Sequence, residues 1–318
     1  MSKINMNREL KHIETSLAQL MHCEDPTLQQ ASEHLLSSGG KRVRPLFVIL
    51  SSYLTGARPT DATYRVAAAL ELIHMATLVH DDVIDLSDKR RGKTTVEFEW
   101  SQSTAILTGN FLLSRAIAHL AAIENYEIHR TLSHAIIEVC RGELFQFQDQ
   151  FRTPQSLTNY LRRIKRKTAL LIQLATEVGA MSANADQATV KCMRDIGYNI
   201  GMSFQIVDDI LDFTSTEKKL GKPVGSDLRN GHLTLPTLLE MKKDPEFKQR
   251  VEQLHANASQ EAFEVCINQV RHSDAIMQSK RVSEKYLQRA KQLLNTIPEN
   301  DAKPLFNKLI LKLQNRMK

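Results

Sequence analysis

Two acidic signatures carry the chemistry that can be read from this chain: Asp81-Asp82-Val83-Ile84-Asp85 and Asp208-Asp209-Ile210-Leu211-Asp212. Each has the form D-D-x-x-D within an apolar stretch of helical periodicity. Ionised carboxylates in such surroundings are costly unless something binds them. On a helix, positions i and i+4 lie about 40° apart and i+1 lies about 100° from i. The three Asp of each set therefore share one broad face. Asp oxygens suit Mg²⁺, which keeps several waters and completes its shell with phosphate oxygens. One such motif alone reads as a solvated helix surface. Two copies in apolar settings point to carboxylates that grip a polyanion through divalent metal ions. Leu70, Ile73, Thr77 and Asp81 fall on one stripe, so Asp81 ends a core-facing row; Phe204, Val207 and Leu211 flank Asp208.

Three basic elements complement the acids. Gly39-Gly40-Lys41-Arg42-Val43-Arg44-Pro45 is a glycine turn followed by cations at the start of a helix. Glycine permits close backbone approach, and a helix N-terminus favours an anion. Cations there oppose the helix dipole, so Lys41, Arg42 and Arg44 imply a nearby anion. Arg90-Arg91-Gly92 follows the first acidic set. Lys165-Arg166-Lys167-Thr168 lies in a basic run from Arg162 on, in which Arg162, Arg163 and Arg166 read as a solvated helix face. His80, beside the Asp pair, is placed to hydrogen-bond and orient a carboxylate. His74 lies two turns earlier, close to the same face.

The elements that must position these residues are helices. Periodicity places them near 4–21, 27–37, 43–55, 61–86, 101–123, 126–149, 155–180, 186–215, 232–242, 259–272, 274–294 and 299–315. Gly39-Gly40, the stretch from Gly56 to Pro59, Pro154 and the stretch from Gly221 to Gly231 punctuate them. No run of alternating β-branched residues predicts a sheet. The acidic sets match each other only at the motif, so no internal repeat is read. With no linker evident, residues 1–318 are expected to form a single all-α domain. Cys23, Cys140, Cys192 and Cys266 make no C-x-x-C pair and fit reduced thiols. The polar N-terminus lacks a signal-peptide core, and no apolar run approaches the roughly 20 residues that span a bilayer. A cytoplasmic protein is expected. The net charge of +6 fits an anionic small substrate or an anionic surface; no nucleic-acid-binding signature accompanies it.

At this point the motifs coincide with those of a family. GGKRVRP, HDDVIDLSDKRRG, KRKTA, FQIVDDILDF and LGKPVGSDLRNG resemble, in order over roughly residues 30–240, the trans-isoprenyl (polyprenyl) diphosphate synthases. ELIHMATLVHDDVID, EVCRGE, YLRRIKRKTALLI and DDILDFTSTE look most like the catalytic large subunit of heterodimeric bacterial hexaprenyl or heptaprenyl diphosphate synthases, which supply the menaquinone side chain. The resemblance implies an isoprenoid-synthase-type helical bundle with a central cavity. It implies Mg²⁺ as cofactor on Asp81, Asp82, Asp85, Asp208, Asp209 and Asp212. Arg90, Lys167, Thr168, Gln205 and Lys222 would contact the allylic diphosphate, farnesyl diphosphate being the expected primer. Lys41, Arg44, His74 and Arg91 would hold isopentenyl diphosphate. Lys167, Thr168 and Gln205 would act in catalysis, Thr168 and Gln205 aiming oxygen dipoles at an allylic cation. A small regulatory subunit is the expected partner, with at most peripheral membrane contact. His232 stands where many relatives carry lysine. Lys93-Thr94-Thr95-Val96-Glu97 departs from the proline and histidine common after the paired arginines, and Gly109-Asn110 replaces a common Gly-Asp.

Short-chain relatives carry bulky aromatics just before the first acidic motif; here Ala76 and Thr77 stand there. One helical turn rises about 5.4 Å, so Thr77 and Ile73 step away from Asp81 along the expected tail path. Small residues at 76 and 77 predict a long product. A homodimeric synthase of octaprenyl or another length, a class I terpene cyclase and a non-catalytic helical subunit are the alternatives. A cyclase usually carries N-D-x-x-S-x-x-x-E as its second motif, and a non-catalytic subunit should have lost carboxylates that are all present here.

Overall fold

Side chains that can cap a helix set most of the helix starts. In the computed structural model, which describes residues 4–90, 92–153, 155–216 and 223–314, α1 (Met6–Leu20) opens on Asn5 and α2 (Pro26–Ser37) on Asp25. Each of these side chains accepts a first-turn backbone N–H. α4 (Asp61–Ile84) opens on a reciprocal capping box between Thr60 and Thr63. α3 (Val43–Leu54) is the exception: its N-cap is Arg42, in the left-handed region at φ 44°, with no side-chain cap. Arg91, Pro154, Gly221 and Lys222 lie outside the described residues.

The chain continues through β1 (Lys89–Arg90), β2 (Lys93–Thr94), α5 (Val96–Glu99), α6 (Gln102–Leu120), α7 (Tyr126–Asp149) and α8 (Leu157–Ile164). A π-helical segment, Lys165–Ala169, leads into α9 (Leu170–Ser182) and α10 (Gln187–Thr214). The helices Ser226–Arg229, Leu235–Lys243, Pro245–Glu252, Gln260–His272, Ala275–Thr296 and Ala302–Gln314 follow. The all-α expectation holds. Several details differ. β1 and β2 pair antiparallel, Lys89 opposite Thr94 and Arg90 opposite Lys93; two-residue strands are too short to show an alternating pattern. The helix read over 155–180 is broken by the π-segment. The helix read from 232 begins at Leu235, behind Pro236, which suits a first turn. Val96–Glu99, Ser226–Arg229 and Pro245–Glu252 were not foreseen; the last is capped by Asp244.

The described chain divides into two compact units. The first comprises Met1–Leu132, Leu174–Arg194 and Ile297–Phe306; the second comprises Ser133–Gln173, Asp195–Thr296 and Asn307–Lys318. In the first, α4 is the central helix, packed on α3 and α6. Its run Val66-Ala67-Ala68-Ala69-Leu70-Glu71-Leu72-Ile73 is buried throughout, and the alanines let neighbouring helices approach. In the second, Phe213, Phe247 and Phe263 centre one core, and Tyr160, Ile206, Ile210 and Leu235 another. Each such ring or branched chain contributes roughly 1.5–3 kcal/mol on burial. No described helix is long and apolar enough to cross a membrane.

Candidate functional site

The first acidic set sits where α4 ends. Asp81 and Asp82 lie in its last turn, and Asp85 is the C-cap. Asp82 is buried, Asp81 half-buried and Asp85 exposed. A helix C-terminus carries partial negative charge and prefers cations, yet this last turn and its cap hold three carboxylates, and the turn has no base. The covalent neighbourhood supplies one cation: Arg90, on β1, donates from Nε (2.7 Å) and Nη2 (2.6 Å) to Asp82 Oδ1. Burial pushes the Asp82 carboxyl above its ordinary range, and Arg90 works against that shift. The hairpin carrying Arg90 is anchored to α2, where Lys93 Nζ donates to the Ser37 carbonyl (2.9 Å) and His34 Nε2 lies 2.8 Å from the Thr94 carbonyl oxygen. Of the residues that depart from those usual after the paired arginines, Lys93 makes one of these contacts through its side chain. His80 does not orient a carboxylate as expected: its Nε2 lies 3.4 Å from the Ile106 carbonyl oxygen, on α6.

His74, Asp82 and Arg90 line one cavity of about 40 Å³ within the first unit, together with Arg42 and Glu71. Lys41 is exposed and Arg44 half-buried; neither lines that cavity. Arg42 answers the sequence argument about cations at a helix start: its anions are internal, Glu14 at 2.7 Å and Glu71 at 3.2 Å. These partners lie 28 and 29 residues away, so no local signal announces them. Ile73 and Ala76 are buried, and Thr77 is half-buried with its hydroxyl donating to the His74 carbonyl at 2.8 Å.

The second set lies within α10, in the second unit, with Asp209 and Asp212 buried and Asp208 half-buried. Here the structure assembles a continuous chain of hydrogen bonds. Thr168 Oγ1 donates to Gln205 Oε1 (2.5 Å), Gln205 Nε2 donates to Asp209 Oδ1 (2.8 Å), and the Tyr160 hydroxyl donates to Asp209 Oδ2 (2.6 Å). Burial and the nearby Asp227 charge raise the Asp209 carboxyl, against the pull of Tyr160 and Gln205. Burial and Asp209 hold the Tyr160 hydroxyl well above its ordinary pKa, so it stays a donor. Asp212 Oδ2 accepts the Asp227 backbone N–H at 3.1 Å. Tyr160 was missed from the sequence because its partner stands 49 residues away. The Gln205 oxygen accepts from Thr168, so it does not present a free dipole; a second lone pair on it and those on Thr168 Oγ1 remain.

Lys167 and Thr168 sit on the π-segment, a distortion that re-aims side chains and recurs at functional sites. Lys167 Nζ is 3.1 Å from Glu143 Oε2, on α7. The expected solvated face holds only for Arg162, which is exposed. Arg163 is buried and donates to the Leu233 carbonyl at 2.6 Å. Arg166 pairs with Glu138 at 2.9 Å and lies over the Phe145 ring. Of these two cations, Arg166 lies on the π-segment and Arg163 on α8 just before it. Two glycines hold the segment: a Cβ on Gly142 would fall 2.7 Å from Arg166 Cβ, and one on Gly201 would fall 2.5 Å from Ala169 Cα. In an unobstructed helix, Gly→Ala stabilises by up to about 1 kcal/mol. Gly201→Ala is expected to do the reverse, destabilising by about 1–3 kcal/mol through overpacking and lowering kcat through displaced Thr168. Thermal melts and steady-state kinetics check both signs; a stabilised, fully active variant contradicts the reading.

The donor set fits a hard divalent cation. All six predicted ligands are carboxylates, with Asp82, Asp209 and Asp212 buried, Asp81 and Asp208 half-buried and Asp85 exposed. Among the described residues no three acidic, histidine or cysteine side chains form a ready cage. Carboxylate oxygens are the ligands such a cation takes, phosphates and water completing its shell. Arg91 and Lys222 lie outside the described residues, and His232 is placed by its backbone N–H, which donates to the Asp227 carbonyl at 2.8 Å.

Comparison with known proteins agrees with this chemistry. The polyprenyl synthetase family description matches residues 25–270. The chain is 45% identical to heptaprenyl diphosphate synthase component 2 of Bacillus subtilis, over 94% of this chain and 85% of that one. It is similar to the solved heptaprenyl diphosphate synthase of Staphylococcus aureus, with TM-score 0.98 and 57% identity over 100% of both chains. A polyprenyl synthase from Caulobacter crescentus, solved with calcium and isoprenyl diphosphate, aligns with TM-score 0.90 at 31% identity, covering 98% of this chain and 95% of that one.

Proposed function

Because this chain belongs to the polyprenyl synthetase family, and so is a prenyltransferase, we propose that it is the catalytic subunit of a long-chain trans-polyprenyl diphosphate synthase of the hexaprenyl or heptaprenyl class. It condenses isopentenyl diphosphate stepwise onto an allylic diphosphate such as farnesyl diphosphate, and its product serves as the menaquinone side-chain precursor. The observation that carries this reading is the pair of D-D-x-x-D sets on two long helices, with Asp82, Asp209 and Asp212 buried and Asp81 and Asp208 half-buried.

Asp81, Asp82, Asp85, Asp208, Asp209 and Asp212 would hold Mg²⁺. When bound, it supplies positive charge to the leaving diphosphate. Arg90, Lys167 and Lys222 add cationic contacts to the same group and favour cleavage of the allylic C–O bond. The allylic cation is then attacked by the double bond of isopentenyl diphosphate, a C–C bond forms and a proton is lost to the departed diphosphate. Thr168 Oγ1, held by Gln205, presents lone pairs toward that cation, and the Asp209–Gln205–Thr168 chain keeps their direction. Lys41, Arg44, His74 and Arg91 retain isopentenyl diphosphate, and holding both reactants replaces a bimolecular encounter.

A small regulatory subunit is the proposed partner. Support comes from the component 2 designation of the B. subtilis relative and from large apolar side chains left exposed on two helices. These are Ile106, Leu107 and Ile117 on α6, and Leu144, Phe145 and Phe147 on α7. Chromatography of products formed from farnesyl and isopentenyl diphosphates with Mg²⁺ tests the reading. The chain alone is expected to be weak or inactive and to make long-chain product once the small subunit is added. Full long-chain synthesis by the chain alone would instead establish a homodimeric synthase.

A further inference from the structure

Arg42 stands within the basic segment assigned to isopentenyl diphosphate, yet its side chain turns away from solvent. It is 4% exposed, whereas Lys41 beside it is exposed. Its Nε donates to Glu14 Oε1 at 2.7 Å, its Nη2 to Glu14 Oε2 at 3.3 Å, and its Nη1 to Glu71 Oε1 at 3.2 Å. Glu14 belongs to α1 and Glu71 to α4, so one guanidinium ties two helices to the start of a third. Glu71 is itself buried, at 4% exposure. Burial works against the charge on Arg42, but the two glutamates outweigh it and hold the pKa above its ordinary value.

The backbone explains what these ion pairs achieve. Arg42 has φ 44° and ψ 43°, a left-handed conformation that a residue with a Cβ keeps only when its surroundings over-determine it. Were Arg42 to relax into the right-handed region, it would join α3 as an added residue. Lys41 would then take the N-cap position, and its direction relative to Arg44 would change.

We infer that Arg42, gripped by Glu14 and Glu71, is a positioning residue that fixes how Lys41 and Arg44 present their charges to the diphosphate of isopentenyl diphosphate. The inference rests on the proposed function. It differs from a plain stabilising role because it singles out one substrate.

Truncating Arg42 would strand a buried Glu71, so milder variants make the test. Glu14→Gln neutralises the more exposed partner, whose side chain is 45% exposed, and Arg42→Lys removes the planar fork. Glu9→Gln is the control: Glu9 lies on the same helix and accepts from the Tyr53 and Tyr64 hydroxyls at 2.9 and 2.7 Å, outside the site. Calorimetric titration of isopentenyl diphosphate should show about tenfold weaker binding to Glu14→Gln and Arg42→Lys. Mg²⁺-dependent binding of farnesyl diphosphate stays at the wild-type value in both. Glu9→Gln lowers the melting temperature and moves neither constant. Wild-type affinity for isopentenyl diphosphate in the two triad variants, or equal loss of both ligands in step with melting temperature, overturns the inference. A wild-type chain that binds no isopentenyl diphosphate with the small subunit present overturns the functional reading beneath it as well.

Discussion

The Asp82→Asn enzyme is expected to keep its fold and lose about 10³-fold or more in kcat/KM. Asn has the same shape but cannot supply the charge that a divalent cation needs, and it closes the turn where α4 ends. Stability moves little, because two opposing effects meet at this residue. From the Asp82 side, burial outweighs the pairing with Arg90 and the carboxyl pKa is raised. From the Arg90 side, burial is opposed by Asp82, Asp81 and Asp85, which together outweigh it. The sign for the carboxyl is explicit: a folded-state pKa above the unfolded value makes ionisation a cost to folding as pH rises past the unfolded value. Asn removes that cost, while Arg90, at 35% exposure, regains water in place of its ionic partner. The two changes offset each other. Steady-state kinetics with the small subunit present, beside a thermal melt, decides the matter. Activity within tenfold of wild type would contradict a role for Asp82 in the metal-diphosphate site.

Bulk along the proposed tail path should shorten the product, and its position should set by how much. Thr77→Phe lies four residues before Asp81 and Ile73→Phe eight, about one and two turns away. Thr77→Phe should therefore give the shorter chain of the two. It is also the gentler substitution, because Thr77 is half-buried and its hydroxyl only returns a hydrogen bond to its own helix. Ala76→Phe should shorten the product too, but Ala76 is 2% exposed, and overpacking there costs about 1–3 kcal/mol. Chromatography of dephosphorylated products reads the order directly. A wild-type length distribution in Thr77→Phe, or a longer product there than in Ile73→Phe, would contradict the tail path.

What was legible in the sequence was whatever a local pattern encodes. Helical periodicity and the absence of strand alternation led to the all-α fold, and the spacing of the aspartates located both acidic sets. The basic triplet after Gly39-Gly40 was visible, but its division of labour was not. Arg42 turns inward to Glu14 and Glu71, and pairing across nearly thirty residues leaves no periodic trace. The π-segment was equally hidden. A sequence read at 3.6 residues per turn shows a continuous helix through Lys167, whereas Gly142 and Gly201, which lie close against the π-segment, fall outside any such window. The same long reach conceals Tyr160, whose hydroxyl meets Asp209. His80 misled because adjacency to the Asp pair said nothing of the Ile106 carbonyl opposite its ring.

The central claim is that the carboxylates of both sets act with Mg²⁺ on the allylic diphosphate. It is tested most directly by calorimetric titration of a non-ionisable farnesyl thiodiphosphate analogue into wild type, Asp82→Asn and Asp209→Asn, with Mg²⁺ and again with EDTA. The account predicts binding that requires Mg²⁺ and weakens by about tenfold or more in each variant. Equal affinity in EDTA, or wild-type affinity with either set neutralised, would contradict it.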